Sequence, residues 1–456
     1  MSSCAFHGAK DTTNTRLKIR SRRTPSIPKM TYHGLFFEYY FNAGKIEKQK
    51  IFTAEPFCGI VNNLETNEKE YFLSLATKSK YDGEGIQEIG RPKLNCVIVL
   101  DISGSMSCSF TGEYHNVESH SSKLEIAKRS LLGLVGHLND EDNFGVVIFD
   151  DDAEELIAFQ NFGKIDKEKM NDKINKLKTR GGTNMAEGFI EGSRMIEKYL
   201  KSQEKEDLER ENRIIFLTDA QPTTGETRSE GLFTLARKAS EKAIFTTFIG
   251  IGVDFNVELI DIITKTKGAN YYSVNSSSEF KRRMDTDFDY VMTPICFDAT
   301  IKVDGAKILS VYGSPDAESE KETTIANIST VMPSNVNENN EVQGGVLLLK
   351  MDKSVGDGLP LNITISFKDK LGKEYQEVIN IAFPELQNDQ SEFFQDLSIR
   401  KAILLVRFVD IVNNFQRNDE GKEKVKKFID YLEKEIKIIG DEKLNREVEL
   451  LNDLLK

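Results

Sequence analysis

The chain has 456 residues, 39% of them hydrophobic and 29% charged, the make-up of a soluble globular protein too long for one ordinary domain. A formal net charge of −12 disfavours nonspecific nucleic-acid binding, and no apolar run is long enough to span a bilayer. Five scattered cysteines form no Cys-x-x-Cys pair, which argues against a disulfide framework or a zinc site.

Residues 1–30 are polar, carry the basic cluster Lys18-Ile-Arg-Ser-Arg-Arg23 and prolines at 25 and 28, and read as a disordered, solvated tail. The N-terminal stretch has no apolar signal core, so a cytoplasmic protein is expected. Residues 31–90 are rich in aromatic and β-forming side chains, notably Leu35 to Phe41 and Glu70 to Thr77. They predict two to four strands, too few to bury a core without partners elsewhere in the chain.

From 91 to 293 strand and helix alternate, the pattern of a mostly parallel sheet covered on both faces. Apolar runs predict strands ending at Asp101, over Phe144 to Phe149, ending at Asp219, over Ala243 to Ile251 and over Asn270 to Val274. Glu155 to Phe159 is expected as an antiparallel edge strand. Helices are predicted over Leu124 to Leu138, Asp166 to Leu177, Met185 to Leu200, Ser229 to Lys242, Asn256 to Lys267 and Ser277 to about Val291.

After Pro294 the alternation stops. Strands at Phe297 to Val303, Lys307 to Tyr312, Gly345 to Met351, Leu361 to Phe367 and Glu374 to Phe383 predict an all-β region over 294–385, read as a sandwich. It would be shared with the N-terminal strands, so that the central domain is inserted in it. Residues 386–456 show apolar spacing for two or three packed helices.

The chemistry concentrates in three stretches of the central region. Leu94 to Met106 holds a buried strand that stops at Asp101, with Ser103 and Ser105 following at alternate positions. Arg180-Gly-Gly-Thr-Asn184 offers Thr183 in a glycine-flanked loop ahead of a helix, and Asn212 to Asp219 is a second buried strand closed by a carboxylate. Carboxylates and hydroxyls at the carboxyl edge of a sheet lie where open α/β folds bind ligands, and oxygen-only donors suit a hard cation such as Mg²⁺.

Asp-x-Ser-x-Ser, a Thr after Gly-Gly, and an Asp ending a hydrophobic strand together resemble the metal-ion-dependent adhesion site of von Willebrand factor A (vWA) domains, over about residues 90 to 293. The resemblance implies an α/β, Rossmann-like, doubly wound sheet. It also implies a metal site of Asp101, Ser103, Ser105, Thr183 and Asp219, with Mg²⁺ as the ion and Mn²⁺ or Ca²⁺ as alternatives. With two carboxylates for a divalent ion, such a site stays electrophilic and has room for an Asp or Glu from a protein partner. The implied protein is an interaction module or scaffold rather than an enzyme.

Residues 107–121 delay the helix that follows the Ser-x-Ser turn and form the candidate selectivity element. His115 and His120 with Cys108 fit no common zinc spacing. A phosphatase built on Asp101 would want a second acid where Ser103 stands, a phosphate-binding loop is absent, and Gly250-Ile-Gly252 lacks a third glycine because Phe255 occupies that position. A metal-dependent hydrolase with Asp150, Asp151 or Asp152 as base, and a scaffold whose metal is only structural, are the alternatives; a solvated turn is the plainer reading of those three aspartates.

Overall fold

The computed structural model describes residues 16, 19–20, 29–45, 47–109, 121–203, 210–251, 259, 266–274, 288–313, 324–386 and 390–456. The chain forms two compact units, one of residues 1–85 with 298–456 and one of residues 86–297.

The first unit opens with a departure from expectation. Residues read as a strand form instead a short helix, α1 (Tyr32–Phe37), followed by the two-residue strand β1 (Tyr40–Phe41). Leu35, Phe36, Tyr39 and Phe41 are all buried, so tertiary burial overrides the β preference of the aromatic run. The long strands β2 (Phe52–Asn62) and β3 (Lys69–Ser79) then pair antiparallel, and α2 (Glu84–Ile89) leads into the second unit.

That second unit is a six-stranded sheet. Its strands are β4 (Leu94–Asp101), β5 (Asn143–Phe149), β6 (Ala153–Asn161), β7 (Glu211–Thr218), β8 (Ile244–Ile251) and β9 (Asn270–Val274), ordered β6-β5-β4-β7-β8-β9. Only β6 runs antiparallel, as the edge strand the sequence predicts. Every residue of β4, β5 and β8 is buried, the signature of strands covered on both faces.

The helices of this unit are α3 (Lys123–Val135), α4 (Lys167–Asn175), α5 (Met185–Ser202) and α6 (Ser229–Ser240). On one face Val97, Val99, Val147, Phe149, Ile214 and Phe216 pack against α5 and α6; α3 packs against β4, β7 and β8. Gly188 and Gly192, four apart on α5, let that helix lie close to the sheet. A Cβ at Gly192 would stand 2.8 Å from Val99 Cγ2, and one at Gly188 would stand 3.0 Å from Val99 Cγ1. Most of the helix expected over Asn256 to Lys267 and most of that over Ser277 to Val291 lie outside the described residues.

The remaining elements return to the first unit. Strands β10 (Cys296–Asp304), β11 (Ile308–Tyr312), β12 (Thr324–Val331), β13 (Val342–Gln343), β14 (Val346–Met351), β15 (Pro360–Lys368), β16 (Glu374–Ala382) and β17 (Phe393–Phe394) precede α7 (Leu397–Asn413), α8 (Asp419–Ile439) and α9 (Asn445–Leu455). A four-stranded sheet runs β12-β10-β15-β16 and a five-stranded sheet β11-β14-β3-β2-β17, so strands from the two ends of the chain share one sheet. The two sheets touch through the rings of Phe52 and Phe367, 5.8 Å apart, and of Tyr71 and Phe383, also 5.8 Å apart.

The larger core lies between the five-stranded sheet and the helices. Phe57, Phe72 and Leu348 meet Ile399, Ile403 and Phe408 of α7, with Phe428 of α8 and Leu450 of α9 behind. Where a disordered tail is expected, Ile19 is buried in this core, and Arg16 donates two hydrogen bonds to Glu447, at 2.6 and 2.7 Å.

Candidate functional site

In the sheet of the second unit, β4 lies between β5 and β7, so the winding reverses at the carboxyl end of β4. Such a reversal splays the following loops apart and opens a crevice. Leu100 of β4 is in register with Leu217 of β7, which brings the two strand-ending carboxylates, Asp101 and Asp219, to this edge.

Asp101 is fully buried and held from both sides. Its Oδ1 accepts the Ser103 N–H at 2.9 Å, and its Oδ2 accepts the Thr218 hydroxyl at 2.6 Å. Burial pushes its carboxyl up to about 6; hydrogen bonds from Ser103 and Thr218 pull it back, and the nearby Asp219 adds to the rise. The chain then makes a tight turn, Gly104–Ser107, anchored by the buried Met106. Within it the hydroxyl oxygens of Ser103 and Ser105 lie 3.1 Å apart.

The Thr183 loop docks on this turn. Gly104 N–H donates to Gly181 O at 3.1 Å, and Arg180 N–H donates to Ile102 O at 2.8 Å. Gly181 has φ +63°, and a Cβ there would lie 2.7 Å from an Asp151 carboxylate oxygen, so glycine answers both a left-handed backbone and a close approach. Thr183 is buried and exchanges hydrogen bonds with Thr223: its N–H donates to Thr223 Oγ1 at 2.9 Å, and its carbonyl accepts Thr223 N–H at 3.0 Å. Asn184 then caps α5, accepting from Glu187 N at 3.3 Å.

Asp219 is also fully buried, yet its two oxygens differ. Oδ2 accepts from Lys123 Nζ at 2.9 Å, while Oδ1 is a buried atom with no hydrogen-bond partner. A buried carboxylate oxygen left unpaired is costly. The structure therefore gathers Asp101, Ser103, Ser105, Thr183 and Asp219 onto three loops at one sheet edge. All their functional atoms are oxygens, and the 3.1 Å spacing of the two serine hydroxyls matches the about 3 Å between neighbouring ligands of an octahedral Mg²⁺. Those atoms could hold a hard divalent cation. Among the described residues no group of three or more His, Cys, Asp and Glu side chains is placed to hold a metal, so the candidate set is hydroxyl-rich and low in charge.

Three residues of this edge escape the ligand pattern. Thr218 orients Asp101, Thr223 anchors Thr183, and Lys123 neutralises Asp219. Thr218 had a sequence signal, a hydroxyl ending an apolar strand beside an aspartate; Lys123, at a polar helix start, had none. The reading of Asp150 as part of a solvated turn is corrected. It is buried, its Oδ2 accepts Arg180 Nε at 2.5 Å, and its carbonyl accepts Asn184 N–H at 2.7 Å, so it braces the Thr183 loop; Asp151 and Asp152 are exposed. Of the 107–121 segment, residues 110–120, with His115 and His120, lie outside the described residues. Its base is closed by a bridge between Ser109 and Ser122, and Cys108 is exposed.

Residues 95–285 match the family described as the von Willebrand factor type A domain. Similar proteins include the uncharacterized protein sll0103 of Synechocystis, 28% identical over 210 residues that cover 45% of this chain and 43% of that protein. Another is inter-alpha-trypsin inhibitor heavy chain H1 of Mesocricetus auratus, 21% identical over 218 residues covering 48% of this chain and 22% of that one. The chain thus spans less than half the length of both. Among solved structures, the von Willebrand factor type A protein from Catenulispora acidiphila aligns with a TM-score of 0.44 at 13% identity, covering 82% of this chain and 81% of that one. The ArnB paralog VWA2 from Sulfolobus acidocaldarius aligns at 0.39 and 14% identity, covering 89% and 97%. The central region is a von Willebrand factor type A domain, a module that typically mediates protein–protein interaction, accompanied here by antiparallel sheets and C-terminal helices. No helix among the described residues is long and apolar enough to cross a membrane.

Proposed function

We propose that this protein is a metal-dependent interaction module that captures an acidic residue of a protein partner at the carboxyl edge of its vWA sheet. Ser103, Ser105 and Thr183 would supply hydroxyl ligands and Asp101 and Asp219 carboxylates, with Mg²⁺ as the ion and Mn²⁺ or Ca²⁺ as alternatives. The observation that carries the reading is Asp219 Oδ1, a buried carboxylate oxygen with no hydrogen-bond partner at the sheet edge that also carries the Ser103 and Ser105 hydroxyls. When bound, the ion supplies a Lewis-acidic position with low ligand charge, which favours an incoming Asp or Glu carboxylate.

The residues of this chain do the positioning. Thr218 and the Ser103 backbone fix Asp101, Thr223 fixes Thr183, and the Gly181 turn brings the second loop against the first. The Ser109–Ser122 bridge sets the base of the 107–121 segment beside the serine turn, which suits a role for that segment in partner selection. We read the two antiparallel sheets as a sandwich that, with the C-terminal helices, serves as a platform. An interaction role is favoured over hydrolysis because Asp150, the buried carboxylate next to the site, is already tied to Arg180 at 2.5 Å, which disfavours it as a general base.

The test is recovery of partners from native cell extract by the full chain with Mg²⁺, with chelator, and as the D101A/S103A double variant, alongside calorimetric titration of Mg²⁺. A partner recovered only with Mg²⁺ and intact ligands, through an acidic residue whose amide variant is lost, is the expected result. Equal recovery in all three arms overturns capture through the site, and turnover of a phosphoester lost in D101A would turn the reading toward hydrolysis.

A further inference from the structure

Lys123 lies outside the pattern of oxygen ligands, and its position is odd on its own terms. It is the first residue of α3, at the helix end where the backbone dipole disfavours a positive charge. Its side chain is only 3% exposed, although lysine is seldom buried without a partner. One partner is Asp219, whose side chain is 0% exposed and whose Oδ2 lies 2.9 Å from the ammonium, while Oδ1 of the same carboxylate has no hydrogen-bond partner. Backbone contacts fix the lysine in this place: its own N–H donates to Cys108 O at 3.0 Å, tying the start of α3 to the chain leaving the serine turn.

We propose that Lys123 is the resident counter-cation of the site. Its ammonium neutralises Asp219 in the metal-free protein, leaves Oδ1 for the divalent ion, and lowers the affinity for that ion while raising its pull on an outside carboxylate. This rests on the metal-binding reading of the site and deepens it. Two carboxylates and a divalent ion are neutral together, so the buried ammonium adds positive charge beside them and favours an incoming Asp or Glu. In the absence of metal the same ammonium spares the fold two neighbouring buried carboxylates with no cation between them.

The experiment compares the full-length wild type with K123M, K123Q and K123R, by calorimetric titration of Mg²⁺ and Mn²⁺ and by thermal unfolding with chelator and with saturating Mg²⁺. Removal of the charge in K123M should tighten both ions about tenfold or more. Its melting temperature should fall in chelator and recover with Mg²⁺, whereas K123R should stay within about threefold of wild-type affinity. K123Q, which keeps a hydrogen-bond donor without the charge, carries the same expectation as K123M and serves if K123M does not fold in chelator. Metal affinity equal to or weaker than wild type in the uncharged variants, or a shift in K123R as large as theirs, overturns the inference while the metal reading stands. A wild type that binds neither ion overturns both.

Discussion

Thr218 and Asp101 meet across the two central strands of the vWA sheet, the threonine hydroxyl donating to Asp101 Oδ2 at 2.6 Å. The same hydroxyl accepts Ala220 N–H at 2.8 Å, and Ala220 sits at φ 54°, so one side chain orients one strand-ending carboxylate and shapes the turn just after the other. T218V keeps the shape of the side chain and strands both partners. It should lower stability by about 1–3 kcal/mol and weaken Mg²⁺ binding, with T218S near wild type. Denaturant unfolding and metal titration of the two variants check this; a T218V protein with wild-type metal affinity would show that Asp101 needs no such brace.

Close approach of α5 to the sheet is the next point of vulnerability. A side chain larger than hydrogen at Gly192 must displace Val99, whose Cγ2 would lie 2.8 Å from the new Cβ. G192V should cost about 1–3 kcal/mol by overpacking. Because α5 begins at Met185, next to the Thr183 loop, the variant should also reduce metal affinity, whereas an exposed-face change on the same helix, such as K198A, should do neither.

Asp82 predicts a pH dependence in the other unit. It is buried, accepts the backbone N–H groups of Ser79 at 2.7 Å and Ser334 at 2.8 Å, and burial pushes its carboxyl up to about 6 from 3.8. With the folded value above the unfolded one, the folded protein binds more protons between those pH values. The contribution to stability is thus fully present below about 3.8 and is lost as pH rises through about 6. The difference amounts to roughly 3 kcal/mol. In unfolding measured between pH 4 and 7, the stability of wild type relative to D82N should be largest at the acid end and shrink toward neutrality. A constant difference would count against the shifted carboxyl.

Glu447 anchors the first unit through charge rather than apolar contact. It is 0% exposed, takes two hydrogen bonds from Arg16, and accepts the buried Tyr39 hydroxyl at 2.6 Å. Y39F removes one neutral donor and should cost about 1–2 kcal/mol, while E447L leaves the buried Arg16 with only the longer contact to Glu38, at 3.6 Å, and should cost more, up to about 3–5 kcal/mol. Thermal melting of both variants ranks them; the reverse order would mean that the tyrosine, not the ion pair, holds the N-terminal segment.

The α/β class was legible because its carriers are local. Fully buried strands such as β4 and β8 must read as continuous apolar runs, and the strand-ending carboxylates Asp101 and Asp219 interrupt those runs abruptly. Alternation of strand and helix implies parallel strands, and with them the carboxyl edge on which the oxygen-bearing residues fall, whereas the strand order, with β4 between β5 and β7, is a property of the folded sheet. Other elements were not legible. Leu35 to Phe41 looks like a strand by composition, yet packing on α7 makes Tyr32–Phe37 helical, and β2, with Pro56 and Gly59, carries the marks of a broken strand. Gly59 is there because Ile399 presses on it, a Cβ standing 3.1 Å from the isoleucine Cδ1.

The sequence by itself therefore determined the fold class and the residues eligible to form a site, since burial periodicity and strand-terminal carboxylates are properties of contiguous segments. Only the tertiary structure decided the electrostatics of that site. Lys123 and Asp219 are 96 residues apart, Thr218 and Asp101 117 apart, and Thr183 and Thr223 40 apart. Charge neutralisation and hydrogen-bond orientation depend on distances of about 3 Å between atoms, and only folding brings such distant parts of the chain so close.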